Sequence, residues 1–461
     1  MLESLRSRVA RIIAPPQTRR FDAAAGGRRA SGFGTFNRTV SEVSAAAPVI
    51  RSRARYLANS NPHVSNAVGN WVAALVGTGI TPTGDAEQVA RFTAWADVAD
   101  ADGRTDFAGQ QAEIARSLVV DGEAFVRIRI NEAGVRTQLI PAEMVDEAHT
   151  VELRGGGYIV NGVEFSDSGE RVAYWILPAR PTDQFASYQA PVRVPATEIL
   201  HIFKPIGIGQ VRGVSWLAPI VVPASEFDAI VDALAVGVKV AALNCAFLID
   251  QNGNAAGSVP FDGEQSGAVL ESGLEPGVLR ILPAGWDIKF NSPQQANETA
   301  AFLRFNLQML ASGMGLPEHM LSGDLSNANY SSLRAGLLPF RARVEQVQYG
   351  VLVPQLLNPV WRRVLFVDSL TGATGEPSRV EWLPPRWAQV DPLKDTEATV
   401  AEINAGLTSR KKAVAERGWN IEDLDAEIAA DRQREIGLGL SFDLQPSSLA
   451  KDAPADAIDN A

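Results

Sequence analysis

The sequence contains one cysteine, Cys245, in 461 residues. A single cysteine cannot form an internal disulfide, a cysteine-cluster zinc site or a C-x-x-C redox pair. Long apolar runs are also lacking, because the longest candidate stretch, Ile230 to Ile249, is interrupted by Asp232 and Lys239, and no secretory signal pattern opens the chain. These features predict a protein of a reducing compartment that does not span a membrane.

The motifs of several enzyme classes are missing as well. The sequence contains no G-x-x-x-x-G-K-[ST], H-E-x-x-H or G-x-S-x-G, so a P-loop ATPase, a zincin and an elbow-type serine hydrolase lack support. The four histidines are scattered without the spacing of metal ligands. Paired acids such as Asp121 and Glu123 are too common to be assigned catalytic roles without a geometry. We therefore predict no catalytic residue, no metal and no cofactor.

Charge is distributed unevenly along the chain. The net charge is −11, yet residues 1–60 carry eleven arginines against three carboxylates and so have a charge of +8. A basic arm of this kind binds nucleic acid in some proteins, because each cation that neutralises a phosphate releases counterions. Solvated flexible termini are also often basic. The sequence leaves both readings open.

The first half of the chain predicts an α+β domain. Helices are expected over 48–58, 86–98 and 107–119, and Asn61-Pro62 supplies an N-cap and a first-turn proline for a further helix that ends at Gly77. The spacing of apolar residues then changes from the helical period to alternation at every second residue, which predicts a half-solvated hairpin over residues 126–139. Asn161-Gly162 and Ser168-Gly169 are turn signals of a second antiparallel meander.

Helices dominate the second half. Residues 225–249 carry small residues at four-residue intervals, a stripe that would let a second helix approach closely, although alanine is also simply a good helix former. This stripe is Ala229, Ala233, Gly237 and Ala241. Ser292-Pro293 resembles the start of a capping box for another helix to residue 311. A glycine-punctuated turn-and-strand insert lies between the two helices.

A long helix with a heptad-like apolar seam is predicted after a polar stretch at residues 321–332. Pro339 should kink this helix. The apolar seam consists of Leu333, Leu337, Phe340, Val344, Val347 and Val351. The roughly opposite side of the helix carries Arg334, Arg341, Glu345 and Gln348. Asp391-Pro392 caps a last helical stretch that breaks at Gly406 and continues to about residue 435.

One segment is compatible with nucleotide binding. Gly207 to Gly213 follows an apolar strand and precedes a helix, as a dinucleotide-binding turn does. Its spacing is G-x-G-x-x-x-G, it follows an antiparallel meander, and no second βαβ unit comes after it. A structural turn is therefore the favoured interpretation, and a nucleotide-dependent enzyme is the alternative.

Several short strings along the chain are distinctive in combination. The two most specific are Gln210-Val211-Arg212-Gly213 and Asn329-Tyr330-Ser331-Ser332. Others are Arg55-Tyr56-Leu57-Ala58-Asn59, Asp121-Gly122-Glu123, His201-Ile202-Phe203, Gly315-Leu316-Pro317 and Leu321-Ser322-Gly323-Asp324. In these strings and their order, the chain resembles the lambda-type portal proteins of tailed phages over residues 48–435.

The resemblance implies a structural protein without enzymatic activity. Its subunits would form a ring, a homododecamer, at one capsid vertex of the virion, through which double-stranded DNA is packaged and ejected. The implied partners are terminase, the major capsid protein and a head-tail connector, with assembly in the cytoplasm of the bacterial host. A basic-arm nucleic-acid-binding protein unrelated to capsids is a second alternative.

The resemblance also implies a portal fold with an α+β wing, a helical stem, a small β-containing clip and an α-helical crown. The implied parts are a flexible basic arm (1–47), the wing (48–215), stem helix one (216–249), the clip (250–292), stem helix two (293–314), a tunnel loop (315–331), a long kinked helix (332–366), a wing return (367–390), the crown (391–435) and a flexible tail (436–461).

The candidate site residues follow from these assignments. The tunnel loop would face DNA with short uncharged or acidic side chains, which bind phosphate weakly and let DNA slide. The DNA-facing candidates are Ser322, Asp324, Ser326, Asn327, Asn329 and Tyr330. Arg334, Arg341 and Glu345 would form a polar stripe on the channel helix, and the small-residue stripe Ala229, Ala233, Gly237 and Ala241 would pack between stem helices.

Overall fold

The computed structural model describes most of the chain between residues 39 and 440. The described ranges are 39–132, 134–178, 189–242, 246–250, 264–266, 269–271, 286–290, 296–326, 330–370, 372, 375–387 and 392–440. The expected capping box at Ser292-Pro293, most of the basic arm and most of the C-terminal tail lie outside these ranges. So do Asn327, Asn329 and Asp391.

Two helices open the described chain, α1 (Thr39–Ser60) and α2 (Pro62–Val76). Asn61 caps α2 as predicted: its side-chain oxygen accepts a hydrogen bond of 2.9 Å from the backbone N–H of Val64. Gly77 ends α2 with a positive φ of 49°. Helices α3 (Ala86–Ala96) and α4 (Phe107–Val120) follow and confirm the segments expected at 86–98 and 107–119 to within two residues. Helix α1, in contrast, begins nine residues before the expected start at residue 48, so residues 39–47, which were assigned to the flexible arm, are helical.

Two antiparallel sheets lie beside these helices. The three-stranded sheet has the order β3-β2-β9, with β2 at Glu123–Asn131, β3 at Gly134–Ile140 and β9 at Ile199–Phe203. The five-stranded sheet runs in chain order through β4 (Val151–Glu152), β5 (Tyr158–Val160), β6 (Val163–Phe165), β7 (Arg171–Ile176) and β8 (Val192–Pro195). Asn161 and Gly162 both have positive φ, 52° and 78°, which confirms the predicted type I′ turn.

The hairpin is less solvated than its sequence predicts. The first half of β2 is buried on both faces, because Val126 and Ile128 face the helices while Phe125 packs on a second core between the two sheets. Only its end, Arg129 to Asn131, is exposed. A short strand β1 (Thr81–Thr83) pairs antiparallel with β14 (Glu381–Leu383), so the chain returns to its first domain near Trp382.

The small-residue helix is shorter than expected. It forms α5 (Val221–Ala242), not a helix to Ile249, because Ala246–Asp250 is strand β10 and pairs with β13 (Trp286–Phe290). Between these strands, β11 (Glu264–Ser266) pairs with β12 (Val269–Glu271). Helix α6 (Ala296–Met314) packs against α5 and continues three residues beyond the predicted end at residue 311.

The long helix is continuous from Tyr330 to Leu370 but changes its winding. It consists of α8 (Tyr330–Val347), a π-helical segment (Gln348–Leu357) and α9 (Asn358–Leu370), and a short helix α7 (Glu318–Ser322) precedes it. Pro339 lies within α8, whereas the departure from α geometry surrounds Pro354. Gln348 was expected on the polar side but is buried, since its amide donates to the carbonyl oxygens at the end of α2.

Three helices end the described chain: α10 (Pro392–Asn404), α11 (Arg410–Ala415) and α12 (Ile421–Leu438). Gly406 breaks the stretch with a φ of 70°, as predicted, and α12 runs three residues past the expected end at 435. Ala413 is the single buried hydrophobic residue among these helices.

One hydrophobic core joins the N-terminal helices to the long helix. It contains Leu57 of α1, Val68 of α2, Leu118 of α4, Val344 of α8 and Leu365 of α9. Within the described chain, no helix combines the length and the hydrophobicity needed to cross a bilayer.

Candidate functional site

In the predicted tunnel loop, residues 315–321 form a base that is hydrogen-bonded to neighbouring helices, and residues 322–326 form the tip. The base is held by α2: the amide of Asn70 donates to the carbonyl oxygen of Met320 at 2.6 Å, and the amide of Asn66 donates to that of Leu321 at 3.1 Å. On the other side Arg343 donates to the carbonyl oxygen of Gly315 at 2.6 Å. These hydrogen bonds fix the segment that precedes the tip, Gly315 to Leu321, on the surrounding fold.

The tip carries short polar side chains that bond to one another. Gly323 ends α7 in the left-handed conformation, with a φ of 74°. The backbone N–H of Asp324 donates to the Ser322 hydroxyl at 3.1 Å, and that of Ser326 donates to the Asp324 carboxylate at 2.8 Å. Hydrogen bonds from Ser326 lower the pKa of Asp324. Asp324 and Ser326 are exposed, and Ser322 is half-buried.

The remaining predicted site residues are spread over two places. Arg334 and Arg341 contact the C-terminal part of the chain: Arg334 lies 3.7 Å from the carboxylate of Asp395 in α10, and Arg341 stacks over Trp387 at 5.1 Å. Glu345 is exposed on the same helix. For Tyr330 the structure describes only the backbone, as the first residue of α8.

The small-residue stripe of α5 faces outward in the isolated chain. Ala229, Ala233 and Gly237 are exposed, and a Cβ atom added at Gly237 would have open space around it. The side chain of Ala241 lies outside the described residues. Exposed apolar residues on α5 and α6 continue this surface, and they are Val231, Val236, Val238, Phe302, Phe305 and Met309.

A buried ion network, formed by Arg51, Glu123, Glu147, His201 and Arg212, lies where the two sheets meet α1. The Glu123 carboxylate is completely buried and accepts from the Arg212 guanidinium at 2.7 Å and 3.0 Å. His201 Nε2 lies 3.0 Å from the same carboxylate. Arg51 bridges Glu123 at 3.3 Å and Glu147 at 2.6 Å. Two arginines thus balance two carboxylates.

Arg212 makes further bonds that leave its donors fully used. It donates to the backbone carbonyl oxygens of Ala142 and Asn161, each at 2.9 Å, and its guanidinium lies 5.1 Å from the centre of the Phe125 ring. A guanidinium with this many fixed acceptors holds its neighbours in one arrangement. Arg212 therefore ties the two sheets to the segment that leads into α5.

The pKa values of Glu123 and His201 are both lowered in the network, for different physical reasons. Burial by itself would raise the pKa of Glu123, but the charge of Arg212 and the hydrogen bonds from His201 and Arg212 hold it well below its usual range. Burial lowers the pKa of His201 to about 4 despite the nearby carboxylate. At neutral pH His201 is therefore uncharged and donates through Nε2, while its Nδ1 is buried without a hydrogen-bond partner in the described structure.

Two glycines permit the close backbone crossing at this network. A Cβ at Gly122 would lie 2.0 Å from the backbone of Val214, and one at Gly213 would lie 2.2 Å from the carbonyl oxygen of Gly122. The backbone N–H of Gly213 donates to Glu123 at 2.8 Å. A turn whose N–H faces a buried carboxylate is unsuited to a phosphate. All pairings between the named strands are antiparallel as well, so the nucleotide-binding alternative is not favoured.

Sequence reasoning missed this network. Its members come from the strings Asp121-Gly122-Glu123, His201-Ile202-Phe203 and Gln210-Val211-Arg212-Gly213, which stand far apart in the chain. The signal that could have indicated the network is that Gly122 and Gly213 each stand next to a charged residue, Glu123 and Arg212. Among the described residues, no cluster of three or more His, Cys, Asp or Glu side chains could hold a metal ion.

Comparison with known proteins identifies the family. The sequence profile of phage portal proteins of the lambda family matches residues 26–348. The chain belongs to this family. It is 26 % identical to the probable portal protein of Halomonas phage phiHAP-1 over 340 residues, which cover 70 % of this chain and 65 % of that protein. It is 21 % identical to portal protein B of Escherichia phage lambda over 360 residues, covering 69 % and 67 %.

Among solved structures, a chain from the virion of a native gene transfer agent (GTA) particle superposes with a TM-score of 0.45 at 15 % identity, covering 90 % of this chain and 97 % of that one. The portal family membership confirms the resemblance found in the sequence. The matched part spans just under two thirds of the Halomonas phage relative.

Proposed function

We propose that this protein is the subunit of a portal ring, a non-enzymatic channel at one capsid vertex of a virion through which double-stranded DNA is packaged and ejected. Membership of the lambda portal family carries this proposal. The subunit would assemble in the cytoplasm of a bacterial host. Terminase, the major capsid protein and a head-tail connector would be its partners, and the ring would be a dodecamer.

The helices and strands of the structure suggest residue boundaries for the parts of the proposed subunit. The wing would comprise residues 48–215 together with β14, which pairs with β1. The stem would be formed by α5 and α6, and the clip by strands β10 to β13, in which case the proposed clip would start at Ala246 and include four residues before the expected start at residue 250. The crown would be formed by α10, α11 and α12, and the tunnel loop would be residues 315–331.

Exposed apolar side chains support assembly of several copies. Phe302, Phe305 and Met309 of α6 are 50 %, 64 % and 44 % exposed. In the connection between the proposed crown helices α10 and α11, Leu407 is 79 % exposed. Helices with so little buried surface gain stability when a second copy covers them.

The charge of the tunnel loop supports a channel in which DNA slides. Residues 315–331 include no lysine or arginine, and Asp324 is exposed at the tip. Each cationic contact to phosphate would release counterions and strengthen binding. A loop with acidic and uncharged side chains would hold DNA centrally without retaining it.

Light scattering and negative-stain imaging of the purified protein test the ring. Phe305→Glu places a charge on the exposed face of α6 and should abolish the ring while the circular dichroism spectrum stays unchanged. Val151→Glu, on an exposed edge strand of the five-stranded sheet, is the matched control and should leave the ring intact. A wild-type protein that stays monomeric or dimeric at all salt concentrations would contradict the proposal.

Removal of residues 1–45 separates this function from that of a basic-arm nucleic-acid-binding protein. A portal subunit without its arm should still assemble into rings. The nucleic-acid-binding alternative would be favoured if the shortened protein lost all affinity for DNA and if neither the full-length nor the shortened protein formed rings.

A further inference from the structure

A wide groove lies between the long helix and the C-terminal helices. It has a volume of about 1370 Å³ and is bordered by α8, β14, the segment 384–387 and α11. Trp387, Tyr349, Pro384 and Pro385 supply its apolar surface, and Tyr349 is 56 % exposed. The groove is larger than an ordinary small-molecule pocket, and its volume and its aromatic and prolyl walls suit a peptide segment.

The groove has an excess of positive charge. Its lining contains five cationic side chains and three carboxylates. Arg379, Arg386, Lys412 and Arg417 are exposed and form no salt bridge with a carboxylate of the described residues. Arg417 reaches only the Thr396 hydroxyl, at 3.5 Å. These unpaired cations favour an acidic occupant.

We propose that the occupant is the C-terminal segment of this same chain, residues 441–461. This segment carries four aspartates and one lysine, so its net charge is opposite to that of the groove. The first 38 residues, by contrast, carry eight arginines against two carboxylates, and the groove would repel them. The proposal concerns the groove alone and does not depend on the portal function.

The point at which the described chain ends makes this contact reachable. Helix α12 is tied to α11, a wall of the groove, by the ion pairs Arg410–Asp425 at 2.6 Å and Lys411–Glu422 at 2.9 Å. From Asp425 the helix runs to Leu438, about 20 Å at 1.5 Å per residue. About six extended residues cover the return at roughly 3.3 Å each. Residues 447–461 can then lie in the groove.

The charges fall in the part that reaches the groove. Asp452, Asp456 and Asp459 all lie beyond residue 447. At the exit from α12, Ile436 and Leu438 are 81 % and 67 % exposed, and a segment that turns back there would cover them. The acidic half would meet the cations while its first residues shield the apolar end of α12.

Peptide binding to a chain that ends at Leu440 tests the proposal. A fluorescent peptide of residues 441–461 should bind the shortened chain and should bind the full chain at least tenfold more weakly, because the attached segment competes. In the shortened chain, R386E combined with K412E should weaken peptide binding at least tenfold. R53E, an exposed arginine on α1, is the matched control and should not change it. Equal binding to all of these proteins, or no binding, would overturn the proposal.

Disulfide trapping in the full-length chain gives an independent measurement. In a C245S background, K412C with D456C should form a disulfide under mild oxidation, and R53C with D456C should not. Equal yields for the two pairs would overturn the proposal, and so would preferential binding of a peptide of residues 1–38 to the groove. Trapping between two chains, seen as a covalent dimer, would show that the segment belongs to a second copy and would contradict occupation by its own chain.

Discussion

At the scale of single residues, Glu123 and Arg212 are expected to be the most sensitive charged positions in the described structure. Removal of one partner of a buried ion pair leaves the other charge without compensation and costs about 3–5 kcal/mol. Arg212→Met and Glu123→Leu should each lower the free energy of unfolding by this amount in urea titrations followed by tryptophan fluorescence. The double variant should lose less than the sum, because no lone charge stays buried.

The exposed pair of Arg410 and Asp425 is the control for this cycle. Arg410→Ala should leave the urea midpoint unchanged, because exposed ion pairs contribute little to stability. If Arg212→Met were as mild as Arg410→Ala, the network would not hold the two sheets together.

His201 gives the network a pH dependence. Its pKa is about 4 in the folded protein against an ordinary value of 6.5, so the unfolded chain binds a proton between pH 6.5 and 4 that the folded chain does not. Stability should therefore fall as the pH decreases through this window, with a total loss of roughly 3 kcal/mol. The depressed pKa of Glu123 adds a further loss only below pH 4.5.

His201→Gln isolates this effect. Glutamine can still donate to Glu123 but does not titrate, so the decrease in melting temperature from pH 6.5 to pH 5 should be smaller in the variant. His319, whose pKa burial also lowers, remains in both proteins and sets the residual slope. Identical slopes in the two proteins would show that folding does not lower the pKa of His201.

At the scale of elements, Asn61 joins α2 to the proposed stem helix α5. Its oxygen caps α2, and its amide donates to the Asp228 carboxylate at 2.7 Å. Asn61→Asp keeps the cap but brings two carboxylates together, and should cost about 1–3 kcal/mol of unfolding free energy. Asp228→Asn in the same chain should restore most of it, since the donor and acceptor are only exchanged. Failure of this reciprocal change to rescue stability would show that the contact does not matter.

Elements set by local chemistry were predictable from the sequence. The cap at Asn61, the turn at Asn161-Gly162 and the break at Gly406 each depend on neighbouring residues alone. The end of α5 was not predictable, because residues 243–250 continue an apolar run, and only the pairing of β10 with β13, about forty residues later, makes them a strand. The ion network was not predictable from the sequence for the same reason, since Glu123 and Arg212 are 89 positions apart.

At the scale of the whole molecule, the proposed tunnel loop should determine how strongly the proposed ring retains DNA. Asp324→Lys would add one cation per subunit at the exposed tip, and each phosphate contact that it makes should release a counterion. Salt titrations of DNA binding to purified rings should therefore show tighter binding and a steeper dependence on salt. Asp324→Asn, which removes the charge without adding a cation, should produce a smaller change in the same direction.

Asp167→Lys provides the comparison that assigns the effect to the loop. Asp167 is exposed between β6 and β7, in the proposed wing, so this variant changes the net charge of the ring equally but away from the proposed channel. DNA that interacts through the channel should respond to position 324 and not to position 167. Equal responses to both variants would mean that DNA senses only the overall charge of the ring, and residues 315–331 would then have no special place on its path.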